Sequence, residues 1–107
     1  MDFSTQFEKL RKKNISSFIT SMVLRDPIHC KDGSTFSIQA SGTHYCHPQN
    51  SEGPYTHYEV GYPENKAGKP IHEPLLQEYG DYPVYGFVPE NVVIEVLLSH
   101  GGIQPID

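Results

Sequence analysis

Both cysteines and four of the six histidines lie between His29 and His57. The stretch begins His29-Cys30, continues through Gly42-Thr43-His44-Tyr45-Cys46-His47-Pro48, and closes at His57. Imidazole and thiolate are the side chains that bind transition metals and move protons near neutral pH. In extended chain His44 and Cys46 project to one side, with His57 on the following strand and Cys30 upstream. These four residues, His44, Cys46, His57 and Cys30, are the candidate ligands of a tetrahedral zinc ion. The spacing matches neither of the familiar Cys-Cys and His-His zinc knuckles. His72-Glu73 is followed by Pro74, which interrupts any H-E-x-x-H helix. Zinc is therefore the alternative expectation, and a site without a cofactor is the leading one.

Two enzymatic arrangements use the same residues. Cys46 beside His44 and His47 offers an activated thiol, but no nucleophile elbow or cysteine-hydrolase signature accompanies it. His44, His57 and Glu59 offer acid–base chemistry on a phosphodiester. The paired H-x-T/S motif of two-histidine phosphodiesterases is missing, since Thr43 precedes His44. Glycine-rich phosphate loops are absent as well. Binding is the remaining class. Tyr45, Tyr55, Tyr58, Tyr62, Tyr79, Tyr82 and Tyr85 all fall in the central loops and strands, and tyrosine is favoured where proteins make contacts. The candidate contact residues are His44, Tyr45, His47, Tyr55, His57, Glu59, Tyr79 and Tyr82.

The 107 residues suffice for a single domain and leave no room for a second core. A hydrophobic share of 36% with nine Gly and nine Pro implies a modest core and much ordered loop. Seven Tyr and five Phe supply buried area and argue against disorder. The net charge of −5 disfavours direct nucleic-acid binding by counterion release. Two cysteines are too few for a disulfide scaffold. Met1-Asp2-Phe3-Ser4 lacks a signal-peptide pattern, and no apolar run approaches bilayer length. The expectation is a cytoplasmic protein with reduced thiols and no membrane partner.

The elements that must position these residues follow from periodicity. Ser4 to Arg25 reads as helical, with Ser4 as N-cap and Phe7 and Leu10 on one face. The basic patch Arg11-Lys12-Lys13 and Asn14 mark a bend or a fresh start. Beyond them Ile15, Phe18, Ile19, Met22 and Val23 form a stripe that ends at Asp26-Pro27. Lys31-Asp32-Gly33-Ser34 is a hairpin signal. Thr35 to Ser41 alternates as a strand, with Phe36, Ile38 and Ala40 on one face. Tyr55 to Tyr62 follows, with Tyr58, Val60 and Tyr62 on one face and His57 and Glu59 on the other. Pro63 to Pro83 holds four prolines and reads as a long loop. Val84 to Val88 is a third strand. Pro89-Glu90-Asn91 opens a helix with Val92, Val93, Val96 and Leu97 as its buried stripe and Gly101-Gly102 as its stop. The sum is an α+β domain with about three antiparallel strands, an N-terminal and a C-terminal helix on one face, and a Pro/Gly-rich loop. Open sheet edges in such a domain favour a homo-oligomer.

Four segments carry a resemblance. They are residues 31–41, Gly53-Pro54-Tyr55 with Glu59-Val60-Gly61-Tyr62-Pro63, Val84-Tyr85-Gly86-Phe87-Val88-Pro89, and Ser99-His100-Gly101-Gly102-Ile103. Together, over roughly residues 15 to 103, they resemble a group of small uncharacterised phage and prophage proteins. The resemblance implies an accessory phage product and assigns no site residue. Such a product is expected to inhibit bacterial defence, by occluding a host protein or sequestering a nucleotide signal. The alternative is a zinc-binding or histidine-dependent hydrolase of phosphodiesters.

Overall fold

The computed structural model describes residues 3–10 and 24–105. A five-stranded antiparallel sheet runs in the order β1-β2-β3-β5-β4. Its strands are β1 (Ile28–His29), β2 (Thr35–Gln39), β3 (His57–Glu64), β4 (Gly80–Asp81) and β5 (Val84–Pro89). Helix α1 spans Phe3–Lys9, a 3-10 helix spans Pro74–Tyr79 and helix α2 spans Glu90–Ser99. The α+β class is as expected, but the sheet has five strands where three were expected. The additional ones, β1 and β4, are two residues each and too short to leave a period of two in the sequence.

Ser4 lies within α1 rather than capping it, and Arg25 is not helical. The expected bend near Lys13 and Asn14 and the Ile15-to-Val23 stripe lie outside the described residues. The expected 63–83 loop is partly built. Pro63 and Glu64 extend β3, Pro74 opens the 3-10 helix that buries Leu76, and β4 follows. Among the described residues no helix is long and apolar enough to cross a membrane.

Alternation in the strands gives the core. Phe36 and Ile38 of β2, Tyr58 and Val60 of β3, and Tyr85 and Val88 of β5 are buried in one cluster with Val93, Val96 and Leu97 of α2. Helix α1 joins through edge-on aromatic contacts, Phe3 and Phe7 lying 5.2 Å and 5.0 Å from the Tyr58 ring centre. The Tyr58 hydroxyl and the Ser4 hydroxyl both donate to Glu90, which ties α1 to the first turn of α2. The β1–β2 hairpin is closed by an Asx turn, with Asp32 accepting from both the amide and the hydroxyl of Ser34 and Gly33 at φ 90. Helix α2 ends at Gly101 and Gly102, whose left-handed φ lets their amides reach back to Leu98 and Leu97. The segment beyond returns along β1, where Lys31 donates to Gly102 and Gln104 to His29.

Arg25 joins α1 to the sheet. Its guanidinium is fully buried and donates to the Ala40 carbonyl at 2.7 Å and to Glu8 at 2.8 Å. It lies 3.9 Å above the Phe7 ring and 5.7 Å from that of Tyr55. The backbone of Arg25 exchanges two hydrogen bonds with the Gln39 side chain. Replacing Arg25 by methionine keeps much of the bulk and strands a buried carbonyl. A loss of about 3 kcal/mol in urea unfolding is expected, from an unmet acceptor and a lost cation–π contact. A loss below about 1 kcal/mol would show that the guanidinium does not hold α1 in place.

Candidate functional site

The sheet contains two irregularities, and each aims an aromatic ring at solvent. Tyr58 pairs with Val88 and Val60 with Tyr85, so Glu59 alone of β3 faces both Gly86 and Phe87 of β5. Thr35 pairs with Glu64 and Ser37 with Gly61, so Phe36 faces both Tyr62 and Pro63. These are β-bulges, and the residues that absorb them are Phe87 at φ 52 and Tyr62 at φ 50. Left-handed backbone costs a residue with a Cβ about 1–2 kcal/mol. Here it is occupied by two bulky side chains that are 47% and 55% exposed. The expected common face of Tyr58, Val60 and Tyr62 is thus corrected: beyond the bulge after Gly61, Tyr62 is exposed while Tyr58 and Val60 stay buried.

The segment after β2 then crosses to the Phe87 bulge. Phe87 donates its N–H to the Tyr45 carbonyl at 2.9 Å, and His47 and His57 exchange backbone hydrogen bonds. Tyr45 lies against Gly86, where any Cβ would come within 3.0 Å of the Tyr45 Cβ. The Tyr45 and Phe87 ring centres are 5.8 Å apart with planes at 46°, and Tyr45 is 58% exposed. Glu59 anchors this segment by accepting the Tyr45 N–H at 3.0 Å. Among the described residues, that carboxylate enters no ion pair. Tyr45, Phe87 and Glu59 therefore form one contiguous surface. Beside it, the His47 and His57 rings meet edge to face at 6.0 Å.

The other candidates separate from this surface. His44 is buried with Nδ1 hydrogen-bonded to the Ser41 hydroxyl at 2.6 Å. Burial lowers its pKa, Arg25 adds to that, and Glu59 opposes it. Cys46 is buried, and its thiol has the carbonyls of Ser41 and Pro48 within hydrogen-bonding reach at 3.2 Å and 3.4 Å. Burial raises its pKa, so the thiolate is disfavoured. Tyr55 is a core residue against Phe7 and Tyr58. Tyr79 and Tyr82 are partly buried against the core, Tyr82 beside His72.

Cys30 lies on the far side of the hairpin, bridged to Ile103, with its sulfur 4.0 Å from the Leu97 carbonyl. Burial lifts its thiol to about 11, only partly offset by a hydrogen bond with Ser34. Among the described residues no group of three or more His, Cys, Asp or Glu side chains is placed to hold a metal ion. The residues His44, Cys46, His57 and Cys30 do not fit a zinc site, because both sulfurs are occupied in separate parts of the core.

One titratable cluster escaped sequence reasoning. His100, at the C-terminal end of α2, is hydrogen-bonded through Nδ1 to Asp32 at 2.7 Å and through Nε2 to Glu73 at 2.9 Å. Its ring packs on Phe36. Spacings of 68 and 27 residues give no local signal for such a cluster. Burial lowers the His100 pKa, but the hydrogen bonds and charges of the two carboxylates outweigh this and raise it overall. The small burial of Asp32 is likewise outweighed by Ser34 and His100, which bring it to about 2. Ser34 donates to Asp32 rather than to the imidazole, and both ring nitrogens are engaged. That leaves no lone pair to activate a nucleophile, so the cluster is a clamp between the hairpin, the 3-10 helix and α2.

Comparison with family models, with curated proteins and with solved structures finds no match to this chain.

Two measurements check these assignments. A histidine raised above its ordinary value of 6.5 adds stability that is full below that pH and lost as pH climbs through the folded value. The stability gap between the parent and His100→Gln should therefore be widest in mildly acidic solution, above the range where Asp32 protonates. It should narrow as pH rises beyond 6.5, and a gap that widens there would refute the clamp. At the bulges, Tyr62→Gly relieves left-handed strain while gaining chain entropy in the unfolded state, terms of about 1 kcal/mol each. Its urea midpoint should stay close to the parent's, and a loss above about 3 kcal/mol would show a packed ring instead.

Proposed function

We propose that this chain is a non-enzymatic binding module whose contact surface is centred on Tyr45 and Phe87. The carrying observation is Phe87 itself, a large apolar residue held in an unfavourable conformation with its ring half exposed. Such strain persists where the surroundings enforce it and gathers at sites of function. Bulges are a recurrent means of re-aiming a side chain beside such sites. Catalysis is the weaker reading, because the thiols are buried as neutral groups and His44 and His100 are committed to internal hydrogen bonds.

With the resemblance to small phage and prophage products, the reading becomes an inhibitor of bacterial defence that occludes a host protein in the host cytoplasm. Sequestration of a nucleotide signal is less well supported, since Glu59 borders the exposed rings and would repel phosphate. Self-association through a sheet edge has β4 to use, because the residues after α2 already cover β1.

The test is phage plating on strains that each carry one defence system, with and without the protein expressed. Plating should rise on at least one strain and fall back at least about tenfold with Tyr45→Ala or Phe87→Ala, a loss of about 1.4 kcal/mol or more in binding. Circular dichroism should show both variants folded. Turnover of a nucleotide or peptide by the purified protein, lost on His44→Ala, would overturn the proposal.

A further inference from the structure

The proposed binding role leaves open what chemistry the surface recognises, and the chain contains a filled example of a similar arrangement. Around Arg25, two aromatic rings and a carboxylate hold one guanidinium: Phe7 at 3.9 Å, Tyr55 at 5.7 Å and Glu8 at 2.8 Å. Tyr45, Phe87 and Glu59 repeat that inventory on the surface. The rings stand at 46° to each other, and Tyr45 and Phe87 are 58% and 47% exposed. Glu59 Oε2 takes one hydrogen bond from the Tyr45 amide, and no cation accompanies the group among the described residues. The charge of −5 favours a basic partner over an acidic one.

Resting on the binding role above, we propose that Tyr45, Phe87 and Glu59 accept an arginine side chain presented by a basic protein partner. Arginine suits the site better than lysine. Its flat guanidinium stacks on rings and offers paired N–H donors to a carboxylate, whereas an ammonium is a compact, strongly hydrated charge. Gly86 is part of the specificity. A side chain there would displace Tyr45 and break the angle between the rings.

The probe is a capped Gly-Arg-Gly tripeptide titrated into the isotopically labelled full chain, with Gly-Lys-Gly and Gly-citrulline-Gly for comparison. Chemical-shift changes should centre on Tyr45, Glu59 and Phe87, with a dissociation constant of about a millimolar. Arginine should bind about threefold or more tighter than lysine, and the uncharged citrulline peptide should bind least. Affinity should fall with added salt. Glu59→Gln should weaken arginine binding about fivefold, as loss of one charge-assisted contact requires.

Equal binding of arginine and citrulline peptides by the unaltered protein would overturn the inference, whatever the fate of the variant. So would shifts centred elsewhere, or none. If Glu59→Gln keeps full activity in the plating assay while Phe87→Ala loses it, the arginine site fails and the binding role stands. If both variants keep full activity, the binding role itself fails.

Discussion

The placement of the exposed surface depends on a cation that never reaches water. Arg25 is buried between α1 and the end of β2, and the carbonyl it holds belongs to Ala40, one residue before the segment that carries Tyr45. From Ala40 the chain enters Ser41, whose carbonyl accepts from Cys46 and whose hydroxyl is hydrogen-bonded to His44. Those two buried side chains fix the inner side of the crossing segment, so Tyr45, between them in sequence, must face outward. A buried cation whose carboxylate partner, Glu8, is exposed is not efficient at adding stability, because desolvation of the guanidinium offsets much of the attraction. What it adds is register. The guanidinium has fixed donor directions, and it engages Ala40 of the sheet side together with Glu8 and the Phe7 ring of α1.

This explains why the residues that looked most reactive prove to be internal fittings. Thiols and imidazoles attract notice in a sequence because they ionise near neutral pH. Burial removes that property by penalising the charged form, raising the Cys30 and Cys46 thiols and lowering the His44 imidazole. His100 goes the other way because two carboxylates meet it, yet it is equally committed. Around Tyr45, the side chains of Ser41, Asn50 and Glu59 each accept backbone amides and hold the chain in place.

How much of this could be read in advance follows from the range of each interaction. The Phe36-Ile38 and Tyr58-Val60 alternation, the Asp32-Gly33 turn and the Pro89-Glu90 start of α2 are encoded within a few residues of themselves, and each was legible. The two-residue strands were not, since pairing alone defines them. Neither was the meeting of Asp32, Glu73 and His100, which requires the completed sheet. The bulges are an intermediate case. Gly61 precedes Tyr62 and Gly86 precedes Phe87, and a glycine within a strand pattern is a sign of a bulge or a close backbone approach. The signal was present and the strict alternation assigned to Tyr58, Val60 and Tyr62 overrode it.

The bulges also separate the packed faces of the sheet from its exposed rings. On either side of Phe87 the ladder resumes with the same antiparallel sense, and Tyr85 and Val88 both remain in the core. The extra residue is therefore dispensable to the sheet and free in side-chain type. A glycine or asparagine would occupy left-handed backbone at lower cost. That phenylalanine and tyrosine stand there, each about half exposed, is the feature on which the proposed contact surface rests. Under the proposed binding role, the exposed rings could change without disturbing Arg25 or the packing beneath.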